Sequence, residues 1–363
     1  MTISLCMIVR NEEESLGRCL ESAKDIADEI IIVDTGSTDS TIDIAKRYTQ
    51  KVYFFPWIDD FAAARNFAFS KATRQYCMWL DADDVLEPAD RDALLRLKAL
   101  LPEEVDVVMM RYHTAFDEKE QPTFSYYRER ILRNSPQYRW EGRVHEAIVP
   151  AGNVVYSEIA VSHRKKKEAD SGRNLRIYEK QKQAGEAFSP RDQFYYGREL
   201  YYNEDYDAAI SVLREFLEEG RGWLENNIEA CRTMALCYKT KGDAQKARAA
   251  LLHSFEYDAP RAEVCCDLGE LFLAEEKYEQ AIFWYELALT KQRNDTSGAF
   301  VSPDCYGYLP YIQLCVCYDR MGWKKKAREY NEKAGKLRPD SQAYQYNKAY
   351  YEKFFLEHNE LSQ

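Results

Sequence analysis

The sequence predicts an α/β domain with a mainly parallel sheet, followed by an all-α superhelix of helical repeats. Two regularities carry this. Strand and helix patterns alternate over the first 165 residues, and a helix-pair signature recurs from about residue 190. The length of 363 residues gives each half enough chain to bury a core of its own.

In the first half, "TISLCMIV" (2–9) is a short apolar run of strand length, and "EEESLGRCLESAKDIA" follows with Leu16, Cys19, Leu20 and Ala23 at helical spacing. The segments "EIIIVD", "TIDIAKRY", "KVYFF", "DFAAARNFAFSKAT" and "YCMWLD" continue the alternation of strand and helix. Such alternation with short connections implies crossover units, and ligands on crossover sheets bind at the carboxyl ends of the strands. The residues to question are therefore Arg10-Asn11-Glu12, Asp34-Thr35-Gly36 and Asp81-Ala82-Asp83. Further on, "YRWEGRVHEAIV" (138–149) returns to strand-like alternation.

In the second half, a small residue, a bulky one three places later and an Ala twelve places after the first recur four times. The sets are Gly197/Leu200/Ala209, Ala235/Tyr238/Ala247, Gly269/Phe272/Ala281 and Cys315/Tyr318/Ala327. This is the tetratricopeptide pattern, with small residues where paired helices cross closely. Residues 291–307 read as an inserted loop, and "QAYQYNKAYYEKFFLEH" reads as a capping helix. The predicted organisation is an α/β domain over 1–167, a connecting helix over 168–189 and a repeat domain over 190–363.

Composition narrows the function classes. A net charge of −11 disfavours a nucleic-acid partner, because phosphate binding needs a basic face; the run "HRKKK" (163–167) is too short to reverse that. No apolar run is long enough to span a bilayer, and no secretory signal opens the chain, so the expectation is a cytoplasmic protein without a membrane span. The ten cysteines contain no C-x-x-C pair and read as buried thiols.

Three strand ends carry chemistry together: "VRNEEESL", "VDTGSTDST" and "LDADD". A nucleoside diphosphate needs a fixed acceptor for base or ribose, donors near its phosphates and a cation to offset their charge. Neither G-x-G-x-x-G nor a P-loop is present, so a dinucleotide fold and a P-loop enzyme are disfavoured. Acidic residues ending a strand are also ordinary turn formers and N-caps, and that reading stands beside the metal one.

The ordered blocks "MIVRNEE … VDTGSTDST … FAAARNFA … WLDADD" resemble an inverting family 2 glycosyltransferase of the GT-A fold. With C-terminal tetratricopeptide repeats, the chain looks like the bacterial branch that includes the peptide S-glycosyltransferase of glycocin biosynthesis. The resemblance implies that Val9, Arg10, Asn11 and Asp34 hold the nucleotide base. It implies that Asp81 and Ala82 meet the ribose side, that Arg65 steadies the acidic loop or the diphosphate, and that Asp81 and Asp83 form the D-x-D pair around Mg²⁺ or Mn²⁺. It places His163 where many such enzymes put a last metal ligand, and the catalytic acids near His145-Glu146. An inverting transfer needs one carboxylate to take the acceptor proton, a role that falls to Glu146 with His145 shaping the site and Glu141 in reserve.

Each position has a plainer reading. Asp34 reads as a turn former, Arg65 as a partner of Asp59 or Asp60, His145 and Glu146 as loop-orienting groups, His163 as a surface residue, and Trp57 and Trp140 as packing. The expected partners are a UDP-sugar donor and a peptide, protein or glycan acceptor, with the repeats holding the acceptor or a second copy as a homodimer. The alternatives are a non-catalytic repeat scaffold with a relic transferase domain, and a transferase acting on cell-surface polysaccharide or lipid-linked glycan.

Overall fold

The computed structural model describes residues 1–165, 170 and 172–360, the side chains of 359 and 360 excepted. Lys166 and Lys167 of the basic run, and the predicted domain boundary at 167/168, lie outside the described residues. The chain divides into two compact units, Met1–Tyr195 and Tyr196–Gln363.

The first unit opens with β1 (Ile3–Val9), α1 (Leu16–Ala23), β2 (Glu29–Asp34), α2 (Thr41–Lys46), β3 (Val52–Phe54), α3 (Phe61–Phe69) and β4 (Tyr76–Trp79), the predicted alternation. It continues with β5 (Asp84–Val85), α4 (Pro88–Leu100), β6 (Val107–Phe116), β7 (Pro122–Arg133), β8 (Val154–His163) and α5 (Arg173–Gln183). One eight-stranded sheet results, in the order β3-β2-β1-β4-β7-β6-β8-β5. Its first four strands are parallel, β7 runs antiparallel to β4 and β6, and β8 lies parallel to β6.

Alternation along β1 shows why helices cover both faces. Ile3, Leu5, Met7 and Val9 join Leu16, Cys19, Leu20 and Ala23 of α1 in one core. Cys6 points the other way, into a cluster with Val33, Cys77 and Ala68 of α3. A third cluster gathers Trp79, Met109, Leu132, Tyr138, Trp140 and Ile148.

Strands β6, β7 and β8 went unread in the sequence, and 138–149 is not a strand. It is a loop closed by a single bridge, with Glu141 and Ala147 exchanging backbone hydrogen bonds of 3.0 and 3.1 Å. Its alternation comes instead from Tyr138, Trp140 and Ile148 reaching back into the third cluster.

Helix α6 (Pro190–Tyr202) carries the division between the units. The second unit continues with α7 (Tyr206–Glu218), α8 (Leu224–Thr240), α9 (Ala244–His253), α10 (Ala262–Ala274), α11 (Tyr278–Ala288), α12 (Tyr308–Arg320), α13 (Lys324–Leu337) and α14 (Gln342–Glu360). Each predicted residue set falls across one helix pair, and the small members mark close crossings. A Cβ on Gly269 would sit 2.8 Å from the Tyr285 ring, and one on Gly197 would sit 2.5 Å from Leu213. All ten cysteines are buried, free thiols. No helix among the described residues is long and apolar enough to cross a membrane.

Candidate functional site

A cavity of about 910 Å³ opens at the carboxyl ends of β1, β2 and β4. Val9, Arg10 and Asn11 reach it from the end of β1, and Asp81, Ala82 and Asp83 from the turn after β4. Arg65 enters from α3, His145 and Glu146 from the bridged loop, and His163 from the end of β8. Asp34 does not border it. Its buried carboxylate accepts Gly36 N–H at 3.0 Å and Ser37 N–H at 3.1 Å, which builds the turn that follows β2. That turn in turn holds Asn11, whose N–H donates to Ser37 Oγ at 2.9 Å and whose Oδ1 accepts Thr38 N–H at 2.7 Å.

Arg65 is the hub. Asp60 caps α3 by accepting Ala63 N–H at 2.8 Å, and Asp59 accepts the Trp57 indole N–H at 2.9 Å, so neither is the partner of Arg65. Instead Arg65 Nε donates to Glu146 Oε1 and Nη2 to Asp81 Oδ1, both at 2.7 Å. Its guanidinium lies 5.0 Å from the Trp79 ring centroid and 4.8 Å from that of Trp140. The next residue, Asn66, fixes the loop by exchanging hydrogen bonds of 2.9 and 3.0 Å with the backbone of Trp140. The "ARN" block thus ties the acidic turn to the bridged loop. Burial opposes charge on Asp81, but Arg65 and Arg130 outweigh it and bring the carboxyl down to about 2.

Two predicted residues, Asn11 and His145, hold left-handed backbone conformations with φ of 55° and 51°, which for non-glycine residues cost about 1 kcal/mol or more and cluster at functional sites. His145 is over-determined: its ring stacks on Tyr195 at 4.2 Å, and its carbonyl accepts Arg191 Nη2 at 2.9 Å.

The acidic turn separates its three carboxylates. Asp81 faces Arg65. Asp83, Asp84 and His163 form a grouping whose candidate ligand atoms lie within 4.8 Å of one another. Register explains this, because β5 pairs with β8 so that Asp84 stands opposite His163, and Arg164 N–H donates to Asp83 O at 2.9 Å. Burial disfavours charge on His163, yet its contacts with Asp83 and Asp84 raise its pKa to about 10. Oxygen with one imidazole suits Mg²⁺ less well than Mn²⁺, and both accept carboxylate.

Sequence reasoning missed Arg128, Lys165 and Arg173, which also line the cavity. Arg128 pairs with Glu129 at 3.0 Å and lies 4.8 Å from the Trp79 ring. The alternation "YYRERILR" was its one signal. Trp57 lines the cavity and Trp140 does not; Trp140 packs edge-on against Trp79 at 5.0 Å. Glu141 is exposed and outside the cavity wall.

A largely parallel sheet with a cavity at its strand ends is an architecture that binds ligands there, and comparison with known proteins gives the class. Residues 4–160 match the family described as Glycosyl transferase family 2, and residues 262–295 match Tetratricopeptide repeat. The chain carries a family 2 glycosyltransferase domain followed by tetratricopeptide repeats. It is 40% identical to a TPR repeat-containing protein of Synechococcus elongatus, over 40% of this chain and 35% of that protein. It is 28% identical to the SPbeta prophage-derived glycosyltransferase SunS of Bacillus subtilis, over 59% and 53% of the two chains. With the lipopolysaccharide core biosynthesis glycosyltransferase LpsC of Rhizobium meliloti the identity is 33%, over 42% and 59%. The chain thus spans from 35% to 59% of the length of these relatives.

Proposed function

We propose that this protein moves a sugar, with inversion, from a UDP-sugar to a peptide, protein or glycan acceptor, using Mg²⁺ or Mn²⁺. The observation that carries the reading is the Arg65 bridge, which places Glu146 and Asp81 on one guanidinium inside the cavity that Asp83 and His163 also line. The peptide acceptor follows from the resemblance to the glycocin branch, similarity to SunS supports sugar transfer, and similarity to LpsC keeps a glycan acceptor in view.

In this reading Val9, Arg10 and Asn11 receive the base, with Asp34 holding the turn behind them. Asp81 and Ala82 meet the ribose side. Asp83 and His163 would hold the divalent ion, whose chemistry is to offset charge on the departing diphosphate. Arg128, Lys165 and Arg173 supply further positive charge along the same wall. Glu146 takes the acceptor proton: Oε1 is oriented by Arg65, and no bond to Oε2 is found among the described residues.

The test is mass spectrometry of the purified chain incubated with a panel of UDP-sugars, Mn²⁺ and candidate peptides. Transfer or slow hydrolysis of one donor supports the reading. A parallel calorimetric titration that shows no metal-dependent UDP binding would leave a scaffold as the better account.

A further inference from the structure

Behind His163 lies a chain of buried polar groups that the proposed reaction does not use. The Tyr112 hydroxyl donates to Asp84 Oδ1 at 2.9 Å and lies 3.0 Å from His163 Nδ1. With that hydroxyl proton directed to Asp84, its oxygen is open to an Nδ1–H, and Asp83 Oδ1 and Asp84 Oδ1, each 3.4 Å from Nδ1, favour a proton on the same nitrogen. Asp84 Oδ2 accepts Arg130 Nη1 and the Asp81 N–H, each at 3.0 Å. Asp84 and Arg130 are wholly buried, and Arg130 is layered between the rings of Trp79 and Tyr112 at 3.9 and 4.3 Å.

Stability alone does not account for this arrangement. Arg130 Nε and Nη2 are buried with no partner among the described residues, and a buried ion pair with open donors is usually no better for folding than apolar side chains of the same size.

We infer that Arg130, Asp84 and Tyr112 are positioning residues for His163, holding Nδ1 so that Nε2 is the nitrogen offered to a divalent cation in the cavity. No hydrogen bond to Nε2 is found among the described residues, and His163 borders the cavity. Asp84, with both oxygens already engaged, acts through the histidine rather than on the ion, and Asp83 is the carboxylate that remains for it. The inference rests on the cation-dependent reading of the site.

The test is calorimetric titration of Mn²⁺ into the full chain saturated with UDP, with pulsed electron paramagnetic resonance of the bound Mn²⁺ to detect an imidazole nitrogen. Tyr112→Phe keeps the ring against Arg130 and removes only the hydroxyl. It is expected to weaken Mn²⁺ about tenfold or more and to blur or abolish the nitrogen signal, with little change in melting temperature. His163→Ala should remove the signal altogether. If Tyr112→Phe binds within about twofold of the parent while His163→Ala loses the ion, the positioning role is overturned and the cation site survives. If the parent itself binds no Mn²⁺, the cation-dependent reading fails, and this inference with it.

Discussion

Arg65 joins Glu146 to Asp81, 81 and 16 positions away in sequence, through two hydrogen bonds of 2.7 Å from a single guanidinium. A planar fork can serve two carboxylates at fixed angles, whereas an ammonium is a point charge. Arg65→Lys should therefore keep one contact and lose the other. Turnover is expected to fall on the order of a hundredfold, by the sensitivity of such sites to misplacement, with a smaller change in UDP affinity. Steady-state kinetics against the preferred donor checks this, and unchanged turnover would remove Arg65 from the catalytic geometry.

Glu146→Gln preserves shape and can still meet Arg65, but it cannot take a proton. Transfer should drop about 10²- to 10⁴-fold, while calorimetric UDP binding stays near that of the parent. Retention of more than a tenth of the activity would transfer the role elsewhere, and Glu141→Gln would then be examined next.

Asp83 and Asp34 should part company. Asp83→Asn is expected to abolish the gain in UDP affinity that Mn²⁺ confers, and chelation of the parent should do the same. Asp34→Ala leaves the Gly36 and Ser37 amides without their acceptor, so it should loosen the turn after β2 and weaken UDP about equally with and without metal. Equal metal dependence in the two variants would refute the division.

Acid stability has a named contributor outside the cavity. Glu29 is buried and bonds Ser4, Lys51 and both the N–H and the hydroxyl of Thr73, the last two at 2.8 Å. Burial opposes its charge, but Lys51, Ser4 and Thr73 overcome that and lower its pKa from 4.5 to about 2. A depressed carboxyl stabilises the fold fully above its unfolded value, and that contribution fades as pH falls from about 4.5 towards 2. Linkage puts its size at roughly 3 kcal/mol. Glu29→Gln should flatten the pH dependence of the urea midpoint in that window, and an unaltered slope would contradict the assignment.

The repeats offer a separate check. Gly269→Ala places a methyl 2.8 Å from the buried Tyr285 ring, an overpacking expected to cost about 1–3 kcal/mol. Thermal unfolding should move while metal-dependent UDP binding by the first unit does not. A variant as stable as the parent would mean that the α10–α11 crossing has room to spare.

Much of this molecule was legible in one dimension because its signals are local. Apolar runs of strand length, helical spacing in 16–23 and the small-residue marks at Gly197 and Gly269 each depend on neighbours a few positions away. The strand-end rule then named nine positions, seven of which share a cavity, and the family resemblance added Val9, Arg65, His145, Glu146 and His163 to the same wall. Three things were not legible. The strands β6, β7 and β8 carry charged residues among apolar ones and shift register between Val108 and Met109, Met110 and Arg111, and His113 and Ala115, so no regular alternation marks them. The partner of Arg65 was a choice among several acids, and only the return of the bridged loop brought Glu146 to 2.7 Å. The division of labour within "DADD" depended on a two-residue strand whose pairing with β8 sets Asp84 against His163. Sequence alone determined the kinds of side chain and the strand ends on which they stand; tertiary structure decided which opposite charges meet, because ion pairing depends on distances that strand register and loop closure set and that adjacency in the chain does not.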